Sequence, residues 1–269
     1  MLTIKENLNL HPVISFFILV YGLSAPFWLI QLFIDTTDLP LSIPITDVAA
    51  VFTPVAAACL LIYNERGRNG IIELLLRTFD FKKLSLLWWV VAVFLPLLIF
   101  LLVYLFLELN HYVIPKLTLL SIFDMLIVLA FFYIGAAAEE IAYSGFVIDK
   151  LQAKFTALTT SFLIGVPWIV WHYPSILHQG RDLNFIVWGT FGTIAFRTIL
   201  VWLYNNTNGC VAACVVVHCL YNTGRVIFPQ SSNNNLLVDA PHIHYGVIVV
   251  IAVFIVILGG KRQWRISGE

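Results

Sequence analysis

Long apolar runs, broken by short polar clusters, organise the chain from end to end. Crossing the hydrocarbon core of a bilayer takes about 20 apolar residues. Eight runs answer to that length, over residues 12–34, 43–63, 85–108, 119–148, 156–177, 183–205, 210–229 and 243–260. They are continuous rather than alternating, which predicts helices and not the strands of a membrane barrel. The expected fold is therefore all-α, a polytopic membrane helical bundle of about eight transmembrane helices. The first run is too long for the apolar part of a signal peptide, and the segment before it is not notably basic, so it reads as a retained anchor. Residues 69–83 carry charges at their ends and clustered apolar positions between. They predict an interfacial helix on the membrane surface, or a plain amphipathic connector. Ser231-Ser-Asn-Asn-Asn-Leu reads as an exposed loop. The organisation expected is N-terminal membrane helices over 1–118, a helical core over 119–229, and a loop with a last transmembrane helix over 230–269.

Composition agrees with this pattern. The 269 residues are 60% hydrophobic and only 11% charged, against about 25% charged in soluble domains. The formal net charge is zero, and nothing points to nucleic acid. Cys59, Cys210, Cys214 and Cys219 all lie in apolar runs without disulfide-framework spacing, and read as small packing residues. Cys210, Cys214 and His218 share a helical face, a weak metal-site pattern.

Lys and Arg set the orientation. With the N-terminus cytoplasmic, the inside segments hold Lys5, Arg66, Arg68, Arg77, Lys82, Lys83, Lys150, Lys154, Lys261, Arg262 and Arg265, while the outside loops hold only Lys116 and Arg181. Both termini are expected inside. Arg197 and Arg225 fall within runs.

Three polar groups lie inside the apolar runs. Glu139 and Glu140 are adjacent, in a segment that otherwise reads as a membrane helix. One ionised side chain at the bilayer centre costs about 3 kcal/mol or more. Neighbouring helix positions diverge by about 100°, so one Glu should face a site and the other a partner. Trp168 and His172 are four apart and share a face, as do His218 and Asn222. Taken singly, each group reads equally as an ion pair, a proton relay or interhelical hydrogen-bonding glue. Depth joins them. At 1.5 Å per residue, Glu139, His172 and His218 lie about 16, 18 and 12 Å from the cytoplasmic ends of their helices. An acid and two imidazoles at one level predict a common site.

In this order and spacing, Glu139-Glu140, Trp168-xxx-His172 and His218-xxx-Asn222 resemble the CPBP intramembrane proteases. These are the CAAX-processing type II endopeptidases and bacteriocin-processing enzymes, also called the ABI family. The family pattern runs EExxxR, then aromatic-xxx-His, then His-xxx-Asn, and the likeness covers about residues 120–225. It makes 119–229 the catalytic core. One position departs: Ser144 stands where the motif arginine would be. Arg197, about 12 Å from the end of its run, is the candidate replacement, pairing with Glu140 or else snorkelling to the membrane surface.

The resemblance implies an intramembrane endopeptidase acting on a membrane-associated protein or peptide. In it Glu139 activates water, His172 and His218 orient that water or bind a metal, Asn222 donates to the oxyanion, and Glu140 organises the site. Trp168, Arg197 and Tyr143 are the supporting residues. A divalent metal such as zinc is left open, with His172, His218 and Glu139 as candidate ligands; no HExxH is present and the sequence requires none. The cation-rich loops favour substrate access from the cytoplasmic leaflet, and a prokaryotic plasma membrane is the expected location. The bilayer is the only other partner implied, and oligomeric state is unspecified. The alternative is a catalytically impaired scaffold or immunity-type member, favoured by Ser144. A proton-coupled carrier ranks last, because no repeated halves are present.

Overall fold

A computed structural model describes residues 11–33, 45–117, 119–231 and 234–259. Of the cations used for orientation, Lys5, Lys261, Arg262 and Arg265 lie outside the described residues, as do Ser232 and Asn233 of the loop. The described parts of all eight apolar runs are largely helical. They form α1 (His11–Gln31), α2 (Ile45–Ala50) with α3 (Thr53–Leu76), α4 (Leu86–Leu109), α5 (Ile122–Ala142), α7 (Ala157–His178), α8 (Leu183–Asn206), α9 (Val211–Ile227) and α11 (Pro241–Leu258). Short α6 (Ile148–Gln152) and α10 (Leu236–Asp239) complete the set. Among the described residues the only bridge pairing is Ser231 with Asn234.

Six helical stretches are each long and apolar enough to cross a membrane: His11–Gln31, Thr46–Phe79, Leu86–Leu109, Ile122–Gln152, Leu183–Asn206 and Pro241–Leu258. The protein is an integral membrane protein. The two remaining expected spans are α7, interrupted by Pro167 and Pro174, and the 17-residue α9. They carry His172 and His218, while Glu139 and Glu140 lie on the membrane-crossing stretch Ile122–Gln152. Both pack inside the bundle, α7 chiefly against α8, and α9 chiefly against α5 and α4. Large apolar side chains such as Leu86, Leu101, Ile122 and Leu126 face outward from α4 and α5, as lipid contact demands.

Small residues set the spacing. A methyl group on Gly224 of α9 would fall 2.1 Å from the Phe100 ring of α4, and one on Gly192 of α8 would fall 2.2 Å from Tyr245 of α11. Close helix approach of this kind is the usual basis of packing in lipid.

Two local breaks depart from regular helices. Gly67 takes φ +63° inside α3, a conformation glycine adopts without steric cost. The expected interfacial segment 69–83 is thus the end of α3 beyond this kink, followed by 3₁₀ turns at Arg77–Phe79 and Phe81–Lys83. After α5, residues Tyr143–Val147 form a π-helical turn. Such turns recur at functional sites, and this one begins three residues after Glu140.

Candidate active site

Glu139 and Glu140 end α5 and point to different neighbours, as 100° of helical rotation requires. Both are buried. Glu140 is saturated with donors. Arg197 of α8 holds it with both terminal nitrogens, Nη1 to Oε2 at 2.9 Å and Nη2 to Oε1 at 3.1 Å. Ser144 donates its hydroxyl to Oε2. His218 Nδ1 lies 3.0 Å from Oε1. An ionised carboxylate only accepts, so the ring proton facing it sits on Nδ1, and in the neutral ring Nε2 of His218 then carries the lone pair.

Arg197 is the largest fully buried side chain. Its guanidinium lies 4.2 Å over the Trp168 ring and 5.1 Å from the centroid of Tyr143. Among the described residues its Nε has no hydrogen-bond partner, and the aromatic faces offset part of that deficit. The carboxylate partner that the depth of Arg197 suggests is therefore Glu140. Ser144 adds a donor to the same group, so the position that departs from the motif supplies a hydrogen bond while α8 supplies the charge.

Glu139 has a sparser setting. Trp168 Nε1 donates to its Oε2 at 2.5 Å. Among the described residues no hydrogen bond joins Glu139 to either imidazole. The Trp168 indole is instead the hub. Its ring centre is 5.5 Å from that of His218, 5.9 Å from that of His172 and 5.9 Å from that of Tyr143. The structure thus gathers Glu139, Glu140, Trp168, Arg197, Tyr143, His172 and His218 around one indole. His172 and Asn222 are half-buried and make no side-chain hydrogen bond among the described residues. Phe196, not anticipated from the sequence, packs against Trp168, His218 and Tyr221. Its one sequence signal is that it neighbours Arg197.

Along α9 exposure rises toward the helix C-terminus: Cys214 and His218 are buried, Asn222 is half-buried and Arg225 is exposed. Toward the other end Val147, Leu200 and Val211 are buried. Arg77 clamps that end, donating to Gly145 O at 2.5 Å and to Tyr204 Oη at 2.5 Å.

A catalytic zinc takes three protein ligands and leaves one position open. Among the described residues no three His, Cys, Asp or Glu side chains gather in that way. His218 Nδ1 is turned to Glu140, Glu139 is held by Trp168, and the thiols of Cys210 and Cys214 face the carbonyls of Asp80 and Leu200. Neither His172, His218 and Glu139 nor the cysteine face of α9 forms a ready cage.

Residues 121–224 match the family model described as type II CAAX prenyl endopeptidase Rce1-like. Over these residues the chain is similar to that family. Among curated proteins, CAAX prenyl protease 2 of Methanococcus maripaludis is 23% identical over 155 residues, which cover 54% of each chain. The chain thus spans about half the length of that curated relative. The matched segment runs from the N-cap of α5 almost to the end of α9, and contains every residue gathered around Trp168.

Proposed function

We propose that this protein is a member of the CAAX protease family, an intramembrane endopeptidase that hydrolyses a peptide bond in a membrane-associated protein or peptide. The observation that carries the reading is the unequal treatment of two adjacent carboxylates. Glu140 is consumed by Arg197, Ser144 and His218, whereas Glu139 keeps one oxygen without a donor, beside an indole that also touches both imidazoles. A carboxylate left with accepting capacity in a buried polar site is what water activation needs.

In this reading Glu139 takes a proton from water, and the water oxygen attacks the scissile carbonyl carbon. His172, and Nε2 of His218, orient that water. Asn222 donates to the oxyanion of the tetrahedral intermediate. The C–N bond then breaks, and the proton held by Glu139 passes to the leaving amine. Glu140 never reacts: it fixes the ring and tautomer of His218, as the aspartate of a hydrolytic triad does. Arg197 supports catalysis over the scaffold alternative, because it supplies the positive charge that Ser144 lacks. The substrate is a short terminal or membrane-adjacent segment; the relative's name points to prenylated CAAX tails. The protein resides in a prokaryotic plasma membrane with both termini cytoplasmic.

The test compares cleavage of a tagged peptide library by wild type and Glu139→Gln in the same lipid. Loss of a general base typically lowers turnover by about 100-fold or more, and the expected result is that loss with an unchanged melting temperature. Cleavage that survives in Glu139→Gln removes Glu139 as the base.

A further inference from the structure

His172 sits on a stretch of α7 whose backbone ladder is cut on both sides. Pro167 and Pro174 lie inside the helix and carry no N–H. The carbonyls four residues before them, those of Leu163 and Val170, therefore lose their intrahelical donors. Among the described residues the His172 ring is held by ring contacts. The Trp171 ring lies 4.7 Å away at 77°, and the Trp168 ring 5.9 Å away. The aim of the imidazole thus depends on how α7 is rotated about its own axis.

Two hydrogen-bond chains fix that rotation, and both end on helices outside the matched residues 121–224. In the first, Thr53 Oγ1 of α3 donates to Ala50 O at 2.8 Å. A hydroxyl has one proton to give, so Ser24 of α1 is the donor in its 2.6 Å contact with Thr53. The Ser24 oxygen is then left to accept, and it accepts from Trp171 Nε1 at 2.7 Å. In the second, Gln179 Nε2 donates to Ser175 Oγ at 3.0 Å, and Ser175 donates its hydroxyl to Asp47 Oδ2 of α2. Gln31 of α1 donates to Asp47 Oδ1 at 3.4 Å. Trp171 and Ser175 are four apart and share a face, and both are buried, as are Ser24 and Thr53. A third tie, from Tyr21 Oη to Pro167 O at 2.8 Å, holds the backbone at the first proline. His172 follows Trp171 at about 100° round the helix, so the pinned face sets where the imidazole points.

We propose that Ser24 and Asp47 are positioning residues, which aim His172 at the site through Trp171 and Ser175. The N-terminal helices are then a working part of the site and not a separate anchor. The proposal rests on the endopeptidase reading above, in which His172 orients the attacking water. Neither Ser24 nor Asp47 touches that water; each acts on a helix whose own ladder is interrupted beside the imidazole. A misplacement of about 1 Å can cost about 100-fold in rate, so the loss of one anchor is read in turnover. Were these residues packing elements alone, apolar replacements of similar size would serve as well, since close packing in lipid needs small side chains and not hydroxyls.

The experiment reads the His172 ring directly. The full chain, its seven histidines carbon-13 labelled at Cε1, is held in phosphatidylcholine nanodiscs. The His172 line in the magnetic-resonance spectrum is the one missing from His172→Gln. The variants are Ser24→Ala, Asp47→Leu and Asp47→Asn, with Ser161→Ala as control, because the Ser161 hydroxyl bonds Ala157 O within α7 at 2.9 Å. Ser24→Ala and Asp47→Leu should move or split the His172 line, since the Trp171 ring beside it turns. On a peptide that wild type cleaves, they should lower kcat about tenfold or more at unchanged KM. Asp47→Asn keeps an acceptor for Ser175 and should return the wild-type line with much of the turnover. Ser161→Ala should change neither. A His172 line unmoved in Ser24→Ala would overturn the proposal, as would the same movement in Ser161→Ala, or a moved line at unchanged kcat. Should Asp47→Leu fail to fold, Ser24→Ala decides, because it removes a single hydroxyl. A line that moves in a chain whose wild type cleaves nothing upholds the anchors and sinks the endopeptidase reading. Cleavage with an unmoved line does the reverse.

Discussion

Two arginine–carboxylate networks stand at different levels of the bundle, built from the same parts. At the cation-rich end Arg77 meets Asp149 at 3.4 Å, and Tyr204 donates to the same carboxylate at 2.6 Å. Deep in the bundle Arg197 meets Glu140 at 2.9 Å, and His218 faces the same carboxylate. The side chains of the first pair are 27% and 60% exposed; those of the second are 0% exposed. Water can replace either partner in the first network and neither in the second. The outer network also spends its donors on the backbone, at Gly145 and Gly209, and so ties the π turn to the loop between α8 and α9. The inner one spends its donors on a single carboxylate, and thereby orients an imidazole. Identical chemistry serves as a clip in one place and as a positioning device in the other, and burial makes the difference.

Breaking the inner pair should have the largest effect. Arg197→Met leaves Glu140 charged, buried and unpaired, at a cost of about 3–5 kcal/mol, read as a lowered unfolding midpoint in detergent. Adding Glu140→Met to the same chain should recover much of that loss, because the stranded charge goes with it. Arg77→Met should cost less, about 1–2 kcal/mol for hydrogen bonds that water can partly replace. Should the two arginine variants unfold alike, burial does not separate the networks and the comparison fails. Ser144→Ala should cost least, about 1 kcal/mol, since both guanidinium bonds to Glu140 persist. Its cleavage rate should stay within a few-fold of wild type; a collapse in rate at unchanged stability would mean that Ser144 sets the geometry of the site rather than topping up one acceptor.

Much of the scaffold was legible because it follows from local rules. Eight apolar runs became eight helical regions, since each is long enough to satisfy its own backbone hydrogen bonds without water. The divergence of Glu139 and Glu140 followed from 100° per residue. Pairing of Arg197 with Glu140 was suggested by depth, because a guanidinium in the bundle interior needs an acid at its own level. Other features gave no local signal. Which glutamate His218 would face depended on the rotation of α9 about its axis, and composition does not encode that rotation. Ser144 read as the loss of a cation; its role as a donor became visible only once the chain after Glu140 was seen to turn as a π helix. The Gly67 kink lies in the polar cluster Asn64-Glu-Arg-Gly-Arg-Asn-Gly, just beyond the apolar run 43–63, where the helix nonetheless resumes.

By itself the sequence determined the class of the molecule, the position of its helices and the few polar side chains that lipid would not tolerate. Those are properties of single segments in a given solvent. Tertiary structure alone decided that Glu140 is spent on Arg197, Ser144 and His218 while Glu139 is left to Trp168. Those are properties of how helices rotate and pack against one another, and the contacts that set each rotation come from residues far apart in the chain.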